Sequence, residues 1–207
     1  MKREIFTREA PQAREAGEDK RRVIEGYAIV FGQESEELCD WTETYREIIE
    51  PTAITQEEIA QHDVIATMWH NREKVLARSK NGEGTLTLTV DARGVKATFE
   101  VPDTADGQNA YELVKRGDIQ GMSFVYWTDE RTGVEWKREG GRLIRRVKHI
   151  DHLADVTLAT SPAYTQTSVK TKREEMPAQL RELLDRERNT EGELAYAAAV
   201  ALRAHID

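Results

Sequence analysis

Apolar and polar residues alternate with period two along much of this chain. TLTLTV (residues 85–90) alternates strictly. GVKATFEV (94–101) repeats the pattern with Val95, Ala97, Phe99 and Val101 on one face. Asp91-Ala92-Arg93-Gly94 joins the two runs, so together they predict a β-hairpin. Other stretches read as strands: VIATMWH (64–70) is an apolar run of strand length, VIEGYAIVFG (23–32) is rich in β-branched and aromatic residues, IQGMSFVYW (119–127) reads as a buried strand, and RLIRRVKHI (142–150) and HLADVTLAT (152–160) as two further strands. TYREIIE (44–50) predicts another short strand. TDERTGVEWKREGG (128–141) predicts an exposed hairpin with two tryptophans near it. Ile5 and Phe6 are placed to begin an edge strand, and the charged stretch 8–22 predicts a loose arm or loop.

The period changes in two places. PTAITQEEIAQ, from Pro51, predicts a short helix. In PDTADGQNAYELVKRGD, Asp103 or Thr104 can cap a helix, Ala110, Leu113 and Val114 lie at helical spacing, and Gly117 stops it. From Lys170 onward no strand pattern remains. Pro177 opens a stretch with Leu180, Leu183 and Leu184 on one face, and Thr190 with Glu193 has capping-box spacing, so the tail predicts two helices. The division expected is a body over residues 1–168 and a helical extension over 169–207. SPAY (161–164) ends the body. The body is α+β but β-dominated, with one or two helices, and short antiparallel strands at this spacing favour a barrel or a sandwich.

Composition narrows the functional classes. The 207 residues are 39% hydrophobic and 33% charged, with a formal net charge of -8. A nucleic-acid binder needs a basic face. The tightest basic cluster is Arg142, Arg145, Arg146 and Lys148, in strand-like sequence, with Trp127 as an aromatic neighbour in the pattern. The acidic balance opposes nucleic acid as a partner. Cys39 is the single cysteine, which excludes a disulfide framework and a cysteine-built zinc site. The start, MKREIFTREA, carries no apolar run behind its basic residues, and no segment has the length to span a bilayer. A soluble intracellular protein without a membrane partner is expected.

The chemistry-bearing residues are few. None of His62, His70, His149, His152 and His205 forms a pair with the helical spacing of a zinc protease, so no metal and no cofactor are expected. His70 closes an apolar run and Ser123 lies inside another. Read on residues alone, they are a structural histidine and a satisfied strand hydroxyl, or a base and a nucleophile. Asp155 lies between Leu153 and Thr157 on a strand face, where a carboxylate must be paired or hydrated. The Gly-x-Ser-x-Gly elbow is absent, so a serine triad here is of another type.

Four stretches together resemble the prohead proteases of tailed bacteriophages, distant relatives of the herpesvirus capsid-maturation proteases. They are EGYAIVFG (25–32), MWHNREKVLARS (68–79), RGDIQGMSFVYW (116–127) and HLADVTLATSPAY (152–164), in the family's order over about residues 22–168. The resemblance implies a mainly antiparallel, herpesvirus-protease-like β-barrel surrounded by helices. It also implies a serine endopeptidase with Ser123 as nucleophile, His70 as base and Asp155 where the family usually has Glu. His149 and His152 are rivals for the third position, because the herpesvirus relatives use a second histidine there. Arg78, Arg145 and Arg146 are candidates beside the oxyanion, and Gly121 for substrate clearance. The implied partners are the major capsid protein with its scaffolding segment and the chain itself, by self-cleavage and as a homodimer. The implied location is the immature prohead in the host cytoplasm, with the tail as a self-cleavage or packaging segment. An inactive capsid-assembly or scaffolding protein of the same fold is the alternative.

Overall fold

Three sheets carry the fold in the computed structural model, which describes residues 2–7, 9–17, 21–39, 43–160 and 176–203. Along the chain the strands are β1 (Lys2–Thr7), β2 (Gln12–Ala16), β3 (Arg21–Val30), β4 (Leu38–Cys39) and β5 (Thr44–Ile49). After helix α1 (Gln56–Ile59) come β6 (Asp63–Met68), β7 (Asn71–Lys80), β8 (Glu83–Gly84), β9 (Leu86–Val90) and β10 (Gly94–Glu100). Helix α2 (Ala105–Arg116) precedes β11 (Gly121–Trp127), β12 (Val134–Glu139), β13 (Arg142–Val147) and β14 (His152–Ala159), and α3 (Ala178–Arg203) follows. One sheet runs β1-β11-β14-β6-β7-β8, a second β2-β3-β10-β9, and a third β12-β13-β5-β4.

The six-stranded sheet explains the near-continuous apolar runs. β11 and β14 are buried almost end to end, and β14 pairs with β6 in parallel. Strands covered on both faces lose the alternation that marks a half-exposed sheet. The alternating hairpin of β9 and β10 forms as its sequence predicts, with the Asp91 carboxylate accepting the Arg93 and Gly94 N–H groups in the turn. Leu86, Leu88, Val95, Ala97 and Phe99 enter the same core as Met122, Phe124 and Val156. Gly26 of β3 permits this packing. A Cβ there would meet the Met122 Sδ and the Pro11 Cα, each at 3.0 Å. α2 adds Ala110, Tyr111 and Val114 to the core. Its ends are those the sequence marks: Thr104 Oγ1 accepts the Gly107 N–H, and Gly117 closes it at φ 79°.

The described strands do not close into the barrel implied by the resemblance. Each sheet keeps two edges, and β4 and β8 are two residues long. Too little strand is left at those edges to carry a ladder from one sheet to the next. Three local expectations also change. Residues 12–16 are not a loose arm but strand β2, paired along β3, where Ala13 packs on the core and Arg14 reaches Glu25 at 3.3 Å. The β12–β13 hairpin is exposed at its tip but not on its inner face. Val134 and Trp136 are buried with Tyr45, Leu143 and Leu180, because the Leu180 stripe of α3 covers that face. The tail is one helix over 178–203 rather than two. Thr190 donates to the Arg186 carbonyl instead of capping a new helix, and no proline interrupts the run. SPAY and the 168/169 boundary lie outside the described residues.

A buried ionic cluster ties the third sheet to β11. Arg145 is fully buried and donates to the Tyr126 hydroxyl at 2.8 Å, to Glu47 and to Glu130. Tyr126 in turn donates to Glu47. Burial by itself would lower the Arg145 pKa, but Tyr126, Glu47 and Glu130 outweigh it and hold it well above its ordinary value. The rest of the basic cluster is also spoken for: Arg142 pairs with Glu34, Arg146 with Glu139 and Glu50, and Lys148 with Glu135. Removing Arg145 alone would strand a buried charge. Arg145→Met is therefore expected to lower the unfolding free energy by about 3–5 kcal/mol, measured by chemical denaturation.

Candidate active site

Neighbouring strands β11, β14 and β6 bring the polar residues of three apolar runs into one row. Ser123 pairs in register with Thr157, and Thr157 with Thr67. Asp155 lies two residues before Thr157, on the same face of β14. All four are buried, with Thr67 and Thr157 at 0% exposure and Asp155 at 2%.

His70 reaches this row from a strained turn. Met68 pairs with Asn71, which leaves Trp69 and His70 as the two central residues of the β6–β7 turn. Their φ angles are 54° and 55°, and neither is glycine. Two positive φ values are what a type I′ hairpin turn requires, normally at Asn-Gly. Holding ordinary side chains there costs about 1–3 kcal/mol each. Two hydrogen bonds to β14 fix the turn. The Trp69 N–H donates to the Leu158 carbonyl at 3.1 Å, and the His70 N–H to Thr157 Oγ1 at 3.0 Å.

The imidazole then bridges the row. Its Nδ1 lies 3.0 Å from Asp155 Oδ1 and its Nε2 2.8 Å from Ser123 Oγ. An ionised carboxylate only accepts, so Nδ1 carries the proton and Nε2 presents a lone pair to the serine hydroxyl. The Asp155 charge is compensated further by Thr67, whose Oγ1 lies 3.1 Å from Oδ2 and 3.3 Å from Oδ1. Thr157 donates to the Thr67 carbonyl at 2.9 Å and accepts the His70 N–H with its lone pairs. Such an arrangement can deprotonate a serine hydroxyl and hold the resulting imidazolium against a carboxylate.

All three expected site residues therefore meet, and the Asp155 side chain, shorter than Glu, reaches the His70 ring. The rival histidines lie elsewhere. The His149 ring stands 3.5 Å from Asp151 and 3.9 Å from Glu58. The His152 ring stacks at 5.4 Å on Trp127 and 4.9 Å from the His62 ring. The arginines considered for the oxyanion are engaged with carboxylates, Arg78 with Asp63 through two nitrogens and Arg145 and Arg146 as described above. Thr67 and Thr157 went unmarked in the sequence. Their signal was a hydroxyl inside a buried apolar run, which must find a partner.

His62 anchors the start of β14. Its Nδ1 accepts the Leu153 N–H at 3.1 Å, two residues before Asp155. Burial, then the neighbouring His152 and His149, push its pKa below the ordinary value, with Glu58 opposing. A histidine depressed in the folded state binds protons more readily when unfolded. Its contribution is therefore present above about pH 6.5 and is lost as the pH falls through its folded pKa. Denaturation midpoints measured from pH 7.5 down to 5 should fall, and His62→Asn should flatten that slope. A separate expectation concerns Thr157. Thr157→Val keeps the shape but strands the His70 N–H and should lower kcat by about 10²-fold. Thr157→Ser should retain most of the rate.

The family model for the caudovirus prohead serine protease matches residues 9–182. A solved structure of the bacteriophage T4 capsid assembly protease, gp21, is similar with a TM-score of 0.43 and 7% identity, over 76% of this chain and 99% of that one. No curated protein matches. With most of its length matched, the chain belongs to the caudovirus prohead serine protease family and is a serine protease.

Proposed function

We propose that Ser123, His70 and Asp155 are the catalytic triad of an endopeptidase that matures the capsid from inside the immature prohead. The observation that carries this reading is the single imidazole within hydrogen-bond reach of both other groups, 2.8 Å from Ser123 Oγ and 3.0 Å from Asp155 Oδ1. Ser123 Oγ attacks the scissile carbonyl while His70 Nε2 takes its proton. The tetrahedral intermediate collapses as the same nitrogen protonates the leaving amine, which leaves an acyl-enzyme. Water, activated by His70 in turn, attacks the ester and frees the enzyme. Asp155 holds the Nδ1–H tautomer and stabilises the imidazolium in both halves. Thr67 and Thr157 keep Asp155 and the His70 turn in place. The substrates in this reading are the scaffold or the scaffolding segment of the major capsid protein, and the protease itself. Family membership supports that assignment, because prohead maturation removes scaffold.

Co-expression with the cognate capsid protein tests it. The parent chain should shorten the capsid protein and itself. Ser123→Ala and His70→Ala should abolish both cuts, with a rate loss of about 10⁴–10⁶. Asp155→Asn should fold normally and lose about 10⁴ in kcat, because Asn admits the wrong imidazole tautomer. Undiminished cleavage by Ser123→Ala would remove the assignment.

A further inference from the structure

Among the described residues of the body, large apolar side chains are buried or half-buried with two exceptions, Trp69 at 43% exposure and Val75 at 45%. Both belong to the hairpin that carries His70. Trp69 precedes His70, and Val75 pairs with Thr67, the residue bonded to Asp155. Lys74 links them, since it precedes Val75 and holds its ammonium 5.7 Å from the centroid of the Trp69 ring. That ammonium is itself paired with Asp106 at 3.2 Å, so the charge beside the ring is already met.

The position of Trp69 runs against ordinary turn chemistry. The first central residue of such a turn is usually Asn, Asp or Gly, and here a tryptophan holds a φ of 54°. Its ring is only partly covered within the chain. Its Cα lies about 3.8 Å from that of His70. A polypeptide extended across Ser123 advances about 3.3 Å per residue, so residues within a few positions of the scissile bond come within reach of this rim. A large aromatic beside the reacting groups offers wide contact area at little entropic cost.

We infer that Trp69, with Val75 beside it, forms a recognition rim for an apolar side chain of the polypeptide substrate, a few residues from the scissile bond. The inference rests on the triad reading and names what that site selects. Apolar contact here favours substrates with Leu, Phe or a similar residue at one position and rejects those with Asp or Lys there.

The test uses the full chain and a library of internally quenched decapeptides, with parallel labelling of Ser123 by a small serine-directed phosphonate too short to reach the rim. Trp69→Ala should lower kcat/KM about tenfold or more on peptides bearing the preferred apolar residue, mainly through KM. The loss should vanish on peptides carrying Ala at that position, and phosphonate labelling should keep its parental rate. Trp69→Tyr should restore most of the selectivity. Trp69→Gly, which suits the left-handed backbone, should lose selectivity while Ser123 keeps its parental labelling rate, and so guards against a folding artefact. An unchanged peptide ranking with Ser123 still labelled would overturn the inference alone. Equal losses on Ala-substituted peptides and in labelling would also overturn it, because Trp69 would then act through the His70 turn. A dimer that Trp69→Ala dissociates, with peptide selectivity intact, would make the rim a subunit contact and overturn it too. A parent chain that takes up no phosphonate would overturn the triad reading first, and this inference with it.

Discussion

Asp155 stands on the third strand of a six-stranded sheet, 2% exposed, where an uncompensated carboxylate costs several kcal/mol. Its compensation organises the site. One oxygen accepts the His70 Nδ1–H and the other faces the Thr67 hydroxyl. For both donors to arrive, β6 must pair in parallel with β14 at the register Thr67↔Thr157, and the chain must then fold back within two residues. The strained turn is the consequence. With the backbone at Trp69 and His70 in the left-handed region, His70 reaches both Asp155 and Ser123, and Thr157 holds it there.

The rest of the fold supplies rigidity around that constraint. β11 carries Ser123 and is fixed on both sides, by β1 and by β14, with Phe6 and Thr157 as the register partners of Ser123. Three residues beyond Ser123, Tyr126 enters the buried cluster with Arg145 and Glu47. The third sheet thereby grips β11 through hydrogen-bonded charges rather than through a continuous ladder. Gly26 lets β3 press against Met122, the neighbour of Ser123. In the proposed triad Ser123 is displayed on a strand with no elbow to hold it, and this packing takes the elbow's place.

Much of this was legible in the sequence because it is local. The β9–β10 hairpin declared itself by strict alternation and by Asp91 in its turn. α2 declared itself by Thr104 and Gly117. Ser123, His70 and Asp155 were legible through motifs in family order, and their meeting could not be read from spacing, since 53 residues separate His70 from Ser123 and 85 separate it from Asp155. What escaped depended on tertiary partners. The charged β2 stretch looks unstructured until β3 lies beside it, and Trp136 looks exposed until Leu180 covers it. Thr190 reads as a cap until its hydroxyl turns back to Arg186. Thr67 and Thr157 look like ordinary β-branched strand residues, and only the register across three strands gives their hydroxyls a task.

The central claim is that an ionised Asp155 fixes the proton of His70 on Nδ1 and leaves Nε2 to take the serine proton. Nuclear magnetic resonance of the isotope-labelled imidazoles measures this directly, with His70 assigned from its loss in His70→Gln. At neutral pH the account predicts a protected, strongly deshielded Nδ1–H for His70 and an unprotonated Nε2, with the Nδ1–H signal lost in Asp155→Asn. A neutral His70 protonated on Nε2, or an Nδ1–H indifferent to Asp155→Asn, would contradict it.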